Sequence, residues 1–100
     1  HRPHDVHSGA PAANATATVA NETLKASMDI NIKNTGTNAN IVLWLGATAT
    51  DAPNANAVTV LPGKSTNIKA TDLGDLSHTF LLLHNASAVN AAAYEVTIIG

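Results

Sequence analysis

Three histidines at the start of the chain, His1, His4 and His7, carry its strongest chemical signal. A spacing of three sets all three imidazoles along one edge of a polyproline II segment, which turns once every three residues. Pro3 steers Arg2 away from the helical region and favours that extended form. Imidazoles suit copper or zinc, and Asp5 lies among them as a carboxylate neighbour. If His1 is a true amino terminus, its amine and ring could chelate copper together. The simpler reading is a polar, solvated arm. No resident cofactor is therefore expected, with Cu or Zn at His1, His4 and His7 as the alternative.

Elsewhere the ingredients of a reaction are thin. His78 and His84 flank an apolar run and, six residues apart on a strand, would stand roughly 20 Å from each other, too far for one metal. Asp72 and Asp75 sit around Gly74, but calcium needs six to eight oxygens, and aspartates in such loops more often cap turns. Glu95 has no carboxylate partner with which to form a glycosidase pair. None of the serines lies in a nucleophile elbow. The protein is not expected to be an enzyme. Asn14, Asn21 and Asn85 each open an Asn-x-Ser/Thr sequence and are candidate glycosylation sites.

The scaffold that would position these groups is uncharged to an unusual degree. Only 12% of the 100 residues are charged, against about 25% in an ordinary soluble domain. Aromatics are limited to Trp44, Phe80 and Tyr94, so the core must be aliphatic and the surface built from Asn, Thr, Ser and Ala. Charged edge strands and charge repulsion normally keep β proteins apart, and both are scarce here. The four lysines are scattered and the net charge is −2, which argues against a nucleic-acid partner. No apolar run approaches the length of a membrane span. Cysteine is absent, which removes disulfides and thiolate metal sites. A start at His1 rather than Met reads as a mature exported protein, placed outside the cell.

Strand signals recur at short intervals. Ala13, Ala15, Ala17 and Val19 alternate with polar residues, giving a thin apolar face of small side chains on a proline-containing tail. Met28, Ile30 and Ile32 alternate in the same way. Ile41 to Leu45 is apolar on both faces, with Trp44 pointing opposite to Leu43. Val58 and Val60, Ile68 and Ala70, the run Thr79 to Leu83, and Tyr94, Val96 and Ile98 complete the set. About seven strands separated by turn residues indicate an all-β, two-sheet sandwich or jelly roll. The expected division is an extended N-terminal arm over residues 1–20, with a donor strand at 12–20, and a sandwich domain over 21–100.

Two phrases in the body, Asn34-Thr-Gly-Thr37 between two strands and Val58-Thr-Val-Leu-Pro-Gly-Lys-Ser65 before a third, resemble turns in the subunits of bacterial endospore appendages. The resemblance implies a jelly-roll body joined to its neighbours by a flexible N-terminal connector. That family tethers its connector through cysteines, so covalent cross-linking does not carry over to this chain. The residues and the resemblance lead to one expectation: a structural subunit of an extracellular filament or surface assembly. Its partners would be copies of itself, and Ala13, Ala15, Ala17 and Val19 would enter a neighbour's sheet edge. The alternatives are a carbohydrate- or matrix-binding module using Trp44 and a copper-binding protein using the N-terminal histidines.

Overall fold

Two four-stranded antiparallel sheets face each other in the computed structural model, which describes residues 4–100. The strands are β1 (His4–Gly9), β2 (Thr16–Asn21), β3 (Asp29–Asn34), β4 (Ile41–Gly46), β5 (Val58–Val60), β6 (Ser65–Lys69), β7 (Phe80–Asn85) and β8 (Tyr94–Ile99), with a 3-10 turn at Ala70–Leu73. One sheet has the order β1-β8-β3-β6 and the other β2-β7-β4-β5. Strand 1 pairs with 8, 2 with 7, 3 with 6 and 4 with 5, so the chain is one long hairpin ribbon. The ribbon rolls up until β3 meets β8 and β4 meets β7. This is a jelly roll.

Eight strands replace the expected seven. Residues 4–9 read as a polar tail because only Val6 among them is a large hydrophobe, and β1 has no apolar alternation to betray it. Backbone pairing with β8 along its whole length makes it a strand. The following strand is also shorter than expected. Residues 12–15 form a turn, with the Ala15 N–H donating to the Ala12 carbonyl at 3.0 Å and Asn14 at φ 58°. Asn tolerates that left-handed conformation better than most residues.

The core follows the aliphatic composition. Ile30 and Ile32 of β3, Ile41, Leu43 and Leu45 of β4, Leu81 and Leu83 of β7, and Val96 and Ile98 of β8 meet between the sheets, all buried. Full burial of each such side chain stabilises the fold by about 1.5–3 kcal/mol. β4 is covered on both faces, as its sequence indicates: Leu43 faces the core, while Trp44 and its cross-strand partner Leu82 are buried outside the main cluster.

Among the described residues only two polar side chains are buried, Asn34 at the end of β3 and Asn85 at the end of β7. They do the same work. Asn34 accepts from the Gly36 N–H at 3.1 Å and donates to the carbonyls of Ala39 and Val60 at 2.7 and 3.0 Å. Asn85 accepts from the Ser87 N–H at 2.8 Å and donates to the carbonyls of Asn90, Pro11 and Ala12 at 2.8, 3.2 and 3.1 Å. Each closes its own loop through the residues two and five positions ahead and staples a second loop alongside. The fourth loop at this end is the turn Leu61-Pro-Gly-Lys64. There Pro62 precedes Gly63 at φ 73°, and the Lys64 N–H donates to the Leu61 carbonyl at 3.0 Å, the chemistry of a type II turn.

Asn85→Ala strands buried carbonyls and should cost about 3 kcal/mol in urea unfolding. Gly63→Ala forces a side chain into positive φ and should cost about 1 kcal/mol by the same measurement.

Candidate functional site

The candidate assembly site is the N-terminal flank, which lies at an edge of both sheets and is joined to β3 through residues 22–28. β1 pairs with β8 alone and β2 with β7 alone, so each is the edge of its sheet. The arm expected over residues 1–20 is therefore not separate from the body over the described residues 4–20. Its strands complete both sheets of their own chain. Short connections explain this, since they hold the strands at high effective concentration beside β7 and β8.

Of the four small residues expected to enter a neighbour, Val19 is the one that joins this chain's own core cluster. Ala13, Ala15 and Ala17 are half-buried and Val19 is buried. The register steps from Thr18 opposite Leu82 to Ala20 opposite Leu81, leaving Val19 as the extra residue of a β-bulge. Val19 and Ala20 both enter the core in consequence, and the strict alternation read from the sequence ends there.

On β1, Asp5, His7 and Gly9 stand opposite the core residues Ile98, Val96 and Tyr94, and so lie on the core-side face, where His7 is half-buried and Asp5 stays exposed at the open edge. His7 Nε2 and Asp5 Oδ2 lie 3.1 Å apart. Gly9 gives way to the Tyr94 ring, whose hydroxyl would stand 2.9 Å from any Cβ placed there. Burial raises the Tyr94 pKa. The polyproline II edge expected for the histidines is replaced by a strand, in which His4 and His7, three apart, face opposite sides. His1 lies outside the described residues. Among the described residues no three His, Asp or Glu side chains gather as a metal site.

On β7, His84 Nδ1 and the Thr16 hydroxyl of β2 lie 2.9 Å apart across the flank's seam. Next to it, Asn85 holds the β1–β2 loop through Pro11 and Ala12. The Asn85 amide is wholly buried and its nitrogen is spent on carbonyls. A glycan on that nitrogen would not fit this fold. Asn14 and Asn21 are exposed. Sequence reasoning missed Asn85 as a structural clamp because its Asn-x-Ser pattern reads equally well as a modification site.

Trp44 does not offer a sugar-stacking surface. It is 2% exposed, and its indole N–H finds no acceptor among the described residues. The β4–β5 loop folds over this outer face: a Cβ at Gly46 would meet Asp51 Cβ at 2.9 Å and Leu82 Cδ1 at 3.0 Å. Asp51 fastens the loop, accepting from the Ala47 N–H and the Thr48 hydroxyl, both at 2.7 Å. The Thr48 hydroxyl, then the Ala47 N–H, hold its carboxyl below the ordinary value of 3.8. Asp75 is held low by the Ser77 backbone and hydroxyl and caps a turn.

A carboxyl with a depressed folded pKa contributes above its ordinary value and ceases to as the pH falls through the lowered one. Quenching of Trp44 fluorescence by acrylamide should thus be slight at neutral pH and rise below pH 3.8. Asp51→Asn should raise it at neutral pH and flatten that rise.

No protein-family model matches the chain, and no curated protein matches it in sequence. Solved structures do resemble it. One, described as "Bacillus endospore appendages form a novel family of disulfide-linked pili", superposes with a TM-score of 0.55 at 13% identity, covering 98% of this chain and 86% of that one. The Cupin_2 domain of an XRE family transcriptional regulator from Enterobacter cloacae superposes with a TM-score of 0.54 at 9% identity, covering 95% and 79%. A de novo designed double-stranded beta-helix gives 0.46 at 13% identity, covering 94% and 95%. The chain is similar in fold to an endospore pilus subunit and to a cupin domain.

Proposed function

We propose that this protein is a non-enzymatic structural subunit that polymerises with copies of itself outside the cell, by exchanging its N-terminal strands with a neighbour. The observation that carries the reading is the attachment of the flank. β1 and β2 each pair with one C-terminal strand only, and residues 22–28 join them to β3. A neighbour's β7 and β8 offer the same backbone partners, the same pockets for Ala17 and Val19, and the same Asn85 clamp. Exchange therefore conserves nearly every contact, which is the condition for strand swapping. Because the donor strands and the acceptor edge are different surfaces, the contact propagates unless it closes a ring.

Two further observations support the reading. The space between the sheets is filled by aliphatic side chains, and both buried asparagines are spent on loops, leaving the interior to packing rather than to a ligand. The similarity in fold to an endospore pilus subunit points in the same direction.

A cysteine pair tests it. The chain has no native cysteine, and Thr16 and His84 are register partners. Thr16→Cys with His84→Cys, assembled reduced and then oxidised, should run on a non-reducing gel as a ladder of covalent multimers. Bonds confined to single chains, giving a band at monomer mass from assembled material, would overturn the exchange.

A further inference from the structure

The two ends of the sandwich differ in chemistry. At one end the loops 10–15, 86–93, 35–40 and 61–64 lie side by side, laced by hydrogen bonds. The Ala92 N–H donates to Pro11 and the Asn14 N–H to Ser87. The Thr35 N–H donates to Ala93 and the Ala86 N–H to Asn40. The Asn34 N–H donates to Lys64 and the Gly63 N–H to Asn34. These loops carry a single charged residue, Lys64, which is exposed and has no ion pair among the described residues. They also present Val89 at 82% exposure and Leu61 at 54%. Loops of this kind usually move. Laced together, these form a fixed surface that sacrifices little conformational entropy on binding.

At the opposite end the loops 22–28, 47–57 and 70–79 carry Glu22, Asp51, Asp72 and Asp75 against Lys25. Asp51 and Asp75 are engaged with their own turns. Asp72 is exposed, with no ion pair among the described residues. Among the described residues, one end is thus nearly neutral and partly apolar, with a lone lysine, and the loops of the other are acidic.

We infer that the neutral end is a docking surface for the acidic end of a second copy, with Val89 and Leu61 as its exposed apolar contacts and Lys64 facing Asp72. Charge complementarity selects the occupant, because the acidic end of the same molecule supplies what Lys64 lacks. The contact is head to tail and adds an axial interface to the strand exchange proposed above, on which it builds. Its size sets its role. In a molecule of 36 × 29 × 19 Å, an end face buries on the order of 1,000 Å² in total when fully covered, near the lower limit for a specific interface. It orders subunits that the strands hold together.

The test uses the full chain, with filament formation followed by light scattering and negative-stain microscopy and the fold checked by Trp44 emission. Val89→Asp and Lys64→Glu both alter exposed side chains. Each should raise the concentration needed for assembly about tenfold, equivalent to some 1.4 kcal/mol. Adding Asp72→Lys to Lys64→Glu should restore assembly. If either single variant assembles like the parent, or the charge swap restores nothing, the docking surface is overturned, and the cysteine ladder still reports on strand exchange by itself. If the single variants fail to assemble and the swap succeeds while the cysteines link only within chains, end-to-end docking stands and strand exchange falls. A parent chain that never associates overturns both.

Discussion

Two buried asparagine side chains organise this fold. Asn34 and Asn85 occupy corresponding places on the rolled ribbon: Asn34 stands opposite Tyr94 at the start of β8, and Asn85 opposite Ile41 at the start of β4. Each sits where a strand of one ribbon arm ends and the returning strand begins. A buried amide there must satisfy both its oxygen and its nitrogen, and the surrounding loops must supply the partners. The loops are consequently shaped by the core rather than by their own sequences. That explains how stretches as featureless as Ala91-Ala-Ala93 adopt one conformation.

The same economy governs the edges. A chain with so few charges cannot guard four open strands with lysines. β5 is three residues long, β2 is bulged, β1 carries Asp5 and His7 on its core-side face, and Lys69 of β6 is held 2.9 Å from Asp29. Length, twist and inward polarity are among the known protections for an edge. They act locally, and they leave the loops at one end of the sandwich with Lys64 as their single charge.

Much of this was legible in the sequence, for physical reasons that differ from strand to strand. β3, β4, β7 and β8 declare themselves because burial on one or both faces imposes a hydrophobic pattern. The type II turn at Pro62-Gly63 is equally plain, since those residues have few other uses in that order. β1 stayed hidden because an edge strand can be specified by its partner's backbone, with no requirement on its own side chains. The same gap left the N-terminal segment as a free arm in the sequence reading. Trp44 could be assigned to a strand covered on both faces, but the cover itself could not be read, because it is a loop whose path depends on the Asp51 contacts. His4 and His7 illustrate the reverse error. A period of three suggests a common edge only if the segment adopts the three-residue helix, and pairing with β8 selects a period of two.

The extra residue at Val19 has a consequence beyond local packing. A plain alternating strand of alanines and threonines can slide by two residues along its partner and find nearly equivalent contacts. A bulged one cannot, because only one alignment turns both residues of the doubled pair, Val19 and Ala20, into the core. The defect works as the notch of a key. Wherever this strand seats, in its own sheet or another's, it enters at a single depth. Any array built on it would inherit a uniform spacing from one irregularity in the backbone.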